Sequence, residues 1–100
     1  SPELLAHERL HFDIAELYSR KVRAKVKLLQ QQNERDPKVY NRAVKLLLDE
    51  SNQIDQEYDM ETLHGGLRKQ QKKWELLIQQ KLAALESYQN TNRVVGRANK

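Results

Sequence analysis

His7-Glu8-Arg9-Leu10-His11 has the residue types and spacing of H-E-x-x-H. On a helix this spacing sets two imidazoles one turn apart on one face, where they can hold zinc, with the glutamate as general base toward water. A hydrolase of this kind also needs a third protein ligand and a substrate cleft. Ile14 and Leu17 stand where the longer H-E-x-x-H-x-x-G-x-x-H pattern has glycine and histidine, and the next histidine is His64. Glu34 has a spacing reminiscent of a separate glutamate ligand, but it lies far along a helix that rises about 1.5 Å per residue. Six residues precede the motif, too few for a strand to edge a cleft. The expectation is therefore a chance match on an ordinary helix, with no metal, no cofactor and no catalysis.

Other chemistries find less support. With no cysteine there is no disulfide, thiolate ligand or redox pair, which suits a reducing compartment and makes cytoplasm or nucleus the expected location. No G-x-S-x-G elbow is present, and the three histidines and scattered serines suggest no ordered nucleophile. Gly65-Gly66 is followed by Arg68 and Lys69, so an anion could rest on the helix start there. Without a G-x-x-x-x-G-K pattern, a plain chain reversal is the expectation.

The elements that must position these residues are helical. Three glycines and two prolines in 100 residues are too few for a loop-rich or all-β chain, and Leu, Lys, Gln, Glu and Ala favour long helices. Ser1-Pro2-Glu3 and Asp36-Pro37 are helix starts, each a capping side chain followed by a proline at the first helical position. Gly65-Gly66 is a stop and a turn. Helices are thus predicted at about 2 to 33, 37 to 63 and 67 to 89, followed by a flexible basic tail at 90 to 100. Short connections between helices of similar length predict an all-α, up-down-up three-helix bundle with antiparallel, coiled-coil-like packing.

The apolar periodicity agrees. The first helix bears two adjacent seams, Leu10, Ile14, Leu17, Ala24, Leu28 and Ala15, Tyr18, Val22, Val26, Leu29. The second has Tyr40, Ala43, Val44, Leu47, Ile54 and Tyr58, broken at Ser51; the third has Leu67, Trp74, Ile78, Leu82 and Leu85, with Leu77 and Tyr88 alongside. The same spacing would serve a coiled coil between chains, so a homo-oligomer is compatible with it. The longest apolar run is four residues, Leu82 to Leu85, against the roughly 20 needed to span a bilayer, so no membrane segment is expected. The chain opens at Ser1, not Met, and reads as cut from something longer.

Charge is uneven. Residues 49 to 61 hold six acids and no Lys or Arg, whereas residues 67 to 100 hold eight bases and two acids. Folding back at Gly65-Gly66 makes much of this complementary between neighbouring helices. Arg20, Arg23 and Lys27 share an outer face of the first helix. Phe12, Leu46, Leu48 and Leu76 lie off the main stripes. These seven residues form the expected partner-binding set of a noncatalytic interaction or scaffold module. Its protein partner would be a helical or acidic segment, docked through a mixed apolar and charged face. The alternative is nonspecific nucleic-acid binding by the first-helix bases and the basic tail; against it, the aromatics lie on core stripes, away from bases.

Overall fold

The computed structural model describes residues 1 to 90 and contains three α-helices: α1 (Pro2–Gln31), α2 (Pro37–Thr62) and α3 (Arg68–Ala84). A single 3-10 turn, Glu86–Tyr88, follows α3. The expected basic tail lies outside the described residues except for Asn90. No helix among the described residues is long and apolar enough to cross a membrane.

The helix starts follow the local chemistry. Ser1 Oγ accepts from the Leu4 N–H at 3.2 Å, and an Asp36 carboxylate oxygen accepts from the Lys38 N–H at 2.9 Å. Between α1 and α2, Asn33 takes a left-handed φ of 60°, a conformation asparagine tolerates better than most residues. The Tyr40 hydroxyl donates to the Glu34 carbonyl at 2.7 Å and ties the turn to α2. At the far end Leu63, His64 and Gly65 are left-handed in succession, with φ of 48°, 57° and 90°. The Leu67 N–H closes this turn on the Thr62 carbonyl at 2.9 Å.

α1 lies between the other two helices and supplies the centre of the core with Leu10, Ile14, Leu17 and Tyr18. α2 adds Tyr58, α3 adds Trp74, Ile78 and Leu82, and Leu47, Ile54 and Leu85 pack around them. All three helices touch one another, so the all-α bundle expected from periodicity is the observed fold. Its principal extents are 46 × 37 × 18 Å. The shortest is less than two helix diameters of about 10–12 Å. In so thin a bundle the wider seams stay open: Leu28, Leu67 and Leu77, all placed on stripes by periodicity, are exposed.

α3 stops at Ala84, short of the predicted position 89. The cause is not local. Arg20, held by Glu16 at 2.7 Å, donates to the Leu82 carbonyl at 2.6 Å, and Arg23 donates to the Tyr88 carbonyl. These guanidinium groups take carbonyls at the helix end, where cations are favoured by the dipole, and hold the chain in the 3-10 turn.

Candidate metal centre

Antiparallel pairing of α1 and α2 sets the C-terminal end of α2 beside the N-terminal end of α1, and the acids of α2 meet the two histidines of the motif. His7 is buried, at 3% exposure. Its Nε2 lies 2.7 Å from Asp59 Oδ1, and His11 Nε2 lies 2.8 Å from the same oxygen. His11 Nδ1 lies 2.8 Å from Asp55 Oδ1, and His7 Nδ1 lies 3.3 Å from Gln71 Oε1. The Gln71 amide orientation is fixed by its neighbours: its nitrogen donates to Glu75 at 3.1 Å and its oxygen accepts from the Tyr58 hydroxyl at 2.8 Å.

Each imidazole therefore faces an oxygen acceptor at both ring nitrogens. A neutral imidazole has one N–H. If that hydrogen sits on Nδ1, toward Asp55 or Gln71, the Nε2 lone pairs of both rings point at a carboxylate oxygen. Such a contact is stable only when a proton or a cation lies in it. In that tautomer one cation would satisfy both lone pairs and the carboxylate together; in the other, each Nε2–H donates to Asp59 directly. Holding the outer nitrogen of a ligating histidine on a carboxylate or amide oxygen is the usual way to fix tautomer and ring orientation at a metal site.

The electrostatics describe an ion pair between His11 and the carboxylates. Burial works against a charged His11, but the hydrogen bonds and charges of Asp55 and Asp59 outweigh it and raise its pKa above the ordinary 6.5. Burial acts to raise Asp59, but its bonds to His11 and His7 dominate and hold its carboxyl below the ordinary 3.8. Tyr58 is fully buried, stacks on His7 with ring centroids 4.4 Å apart, and is pushed up to about 12, chiefly by burial. It serves as a neutral donor beneath the site.

A third histidine completes the cluster. His64 Nδ1 is 3.9 Å from Asp59 Oδ1, and ligand atoms of His7, Asp59 and His64 all lie within 4.8 Å of one another. Ligand atoms around one tetrahedral zinc, bound at about 2.0–2.1 Å, are separated by about 3.3 Å. The His7 and His11 contacts to Asp59 are shorter than this and the His64 contact longer, and the set within 4.8 Å does not include His11, so side chains must shift to seat an ion. Glu8, next to His7 in α1, is exposed, and Leu4, Leu5 and Phe12 are exposed apolar side chains of the same helix end.

Of the expected partner-binding residues, Phe12, Leu46, Leu48 and Leu76 are exposed, at 76%, 62%, 54% and 66%. Arg20 and Arg23 are committed to Glu16 and to the chain after α3, and the Lys27 ammonium lies 5.8 Å from the centre of the Tyr88 ring. Of these seven, Phe12 is the one next in sequence to the histidine–aspartate cluster; the other six lie elsewhere along the three helices. The acids of residues 49 to 61 also find other partners than expected. Among the described residues no ion pair joins α2 to α3; Asp55 and Asp59 turn to the histidines of α1, and Asp49 pairs with Lys45. Sequence reasoning missed Asp55, Asp59 and Gln71. The available signal was the hairpin itself, which, mirrored about the turn at 33 to 36, sets residues near 59 opposite residues near 9.

The family model described as "Bacterial protein of unknown function (DUF922)" matches residues 1 to 65. The matched segment holds the motif, Asp55, Asp59 and His64. No curated protein matches the chain, and no solved structure matches it. The chain belongs to the family of bacterial proteins so described.

Proposed function

We propose that this family member carries the centre of a zinc-dependent hydrolase, with His7, His11 and Asp59 as ligands and Glu8 as general base. The observation that carries the reading is the approach of both Nε2 atoms to one oxygen of Asp59, at 2.7 and 2.8 Å, with both Nδ1 atoms backed by acceptors. Two histidines and a carboxylate are a donor set that zinc accepts, leaving a fourth position. This reading departs from the expectation that His7-Glu8-x-x-His11 is a chance match; it is supported by Asp59 of α2, which lies where the sequence pattern offers no third ligand.

A zinc ion held by these residues would supply Lewis acidity and would lower the pKa of a neighbouring water. The residues of the chain do the rest. Asp55 and Gln71 hold His11 and His7 in the Nδ1–H tautomer and fix their rings. Glu8 would take a proton from the water as its oxygen bonds to the carbonyl carbon, and would return the proton to the leaving nitrogen as the C–N bond breaks. Leu4, Leu5 and Phe12, exposed at the same end of α1, offer an apolar polypeptide a surface. An amide bond in a peptide is the substrate class this arrangement suits.

The test separates ligand from base. Glu8→Gln should keep one zinc per chain through dialysis and lose hydrolysis of an unfolded protein substrate, whereas His11→Ala should lose both. Zinc absent from the unaltered chain after loading and dialysis would overturn the reading.

A second reading, docking of a protein partner, is supported by the exposure of Phe12, Leu46, Leu48 and Leu76. The bases expected to steer such a partner are less available, since Arg20 and Arg23 bond to backbone carbonyls of the same chain. The same commitment weakens nonspecific nucleic-acid binding. Loss of partner capture in Leu76→Asp, with helicity intact by circular dichroism, would support docking.

A further inference from the structure

We infer that His64 is a displaceable fourth protein ligand, so that the resting metal site is closed and opens when this side chain swings out. The inference rests on the zinc reading above and adds a means of regulating it. Three observations carry it. First, His64 Nδ1 lies 3.9 Å from the carboxylate oxygen that His7 and His11 share, and with His7 and Asp59, though without His11, it forms a set of ligand atoms all within 4.8 Å of one another. Second, its backbone is anchored to the residue that bears this carboxylate: the His64 N–H donates to the Asp59 carbonyl at 2.9 Å. Third, its side chain is 80% exposed and has room to leave.

The turn that presents His64 is unusual for its sequence. Leu63 and His64 both hold positive φ, of 48° and 57°, a conformation that costs a side-chain-bearing residue of order 1 kcal/mol or more and persists only when the surroundings impose it. The surroundings are specific. Thr62, fully buried, donates to the Tyr58 carbonyl at 2.7 Å and accepts from the Gly65 N–H at 3.2 Å. A Cβ on Gly65 would stand 2.9 Å from His7 Cβ, so only glycine lets the turn lie against the ligand ring. The strained turn is thereby locked to both α2 and His7, and His64 is left above the site.

Closed sites with four protein ligands are structural, and catalytic sites keep a position for water. A histidine that is anchored by its backbone but exposed by its side chain can alternate between these states. With His64 bound, Glu8 has no water to activate; with His64 out, the fourth position is free. A carbonyl substrate or an added anion competes with His64 for this position.

The experiment uses the full chain loaded with cobalt(II), whose visible absorption reports coordination, titrated with azide. His64→Asn retains a residue that tolerates the left-handed turn, and circular dichroism checks its fold. The account expects His64→Asn to bind azide at least about tenfold more tightly than the unaltered chain, and to hold cobalt about tenfold or more less tightly. Added imidazole should restore the original spectrum. Equal azide affinity and equal cobalt affinity in the two proteins would overturn the inference and leave the zinc reading standing. Failure of the unaltered chain to hold cobalt, with His11→Ala behaving alike, would instead overturn the zinc reading itself.

Discussion

His7 Nε2 lies 2.7 Å from Asp59 Oδ1 although 52 positions separate the two residues. The contact spans the hairpin of α1 and α2 at its open end, and His11 makes the matching contact one helical turn along, at 2.8 Å. One carboxylate oxygen thus gathers both histidines of the motif. In the metal-free chain protons must occupy these contacts, and with an ion bound they need not.

This exchange gives the centre a pH signature. His11 has its folded-state pKa raised above 6.5, so its stabilisation is complete below pH 6.5 and is lost as pH rises through the folded value. Asp59 is lowered below 3.8, so its contribution is present above pH 3.8 and is lost as pH falls through the folded value. The metal-free chain should therefore gain most from this cluster between about pH 4 and 6.5. Its Tm should decline above that window, while the increase in Tm on adding zinc should grow with pH, because metal and protons compete for the same nitrogens. Thermal melts with and without zinc at several pH values check both trends; a zinc effect that does not change with pH would count against the cluster.

Gly65→Ala should damage both fold and site. The added Cβ meets His7 Cβ at 2.9 Å, and φ is 90°. The expected loss is about 1–3 kcal/mol in urea unfolding, with weaker zinc binding because His7 must shift. Gly66→Ala serves as the comparison: its Cβ meets only the Leu63 carbonyl, at 3.2 Å, and a smaller loss is expected.

Gln71→Leu should weaken zinc binding by about 10- to 100-fold through loss of the acceptor that orients His7 Nδ1. The substitution also leaves the buried Tyr58 hydroxyl with only the His7 carbonyl as acceptor, at 3.1 Å. Competition titration against a zinc indicator measures the first effect. Unchanged affinity would mean that His7 is not oriented through this bond.

Arg20→Ala should free the end of α3. Its guanidinium bridges Glu16 and the Leu82 carbonyl, and the expected cost is about 1–3 kcal/mol. Faster amide exchange over residues 85 to 89, with α1 unaffected, is the readout. Leu76→Asp, at a position 66% exposed, should by contrast change stability by less than about 0.5 kcal/mol.

Much of the fold could be read along the chain because its punctuation is local. Proline after a capping residue starts α1 and α2, and the boundaries of α1 and α2 fall within two residues of expectation, although left-handed Leu63 and not Gly65-Gly66 caps the end of α2. Ile14, Leu17, Tyr58 and Ile78 lie on the periodic stripes and are the most buried apolar residues. The end of α3 was not legible, because Arg20 and Arg23 impose it from another helix.

The site divides in the same way. His7 and His11 announce themselves by spacing on one helix, whereas Asp59 is, along the sequence, one of six acids in a run that suggests pairing with α3. Only the hairpin shows which neighbour each acid meets: the carboxylates approach the histidines across the helix pair, and charge counting carries no directional information. Gln71 is harder still to foresee. It is a polar residue on α3 that becomes 6% exposed because Tyr58 and His7 require an acceptor there.

Zinc content after exhaustive dialysis, measured by mass spectrometry on the unaltered chain and on Asp59→Ala, tests the shared-oxygen centre most directly. The account predicts close to one zinc per unaltered chain and little or none in Asp59→Ala, with helicity preserved in both. No retained zinc in the unaltered chain, or the same content in both proteins, would contradict it.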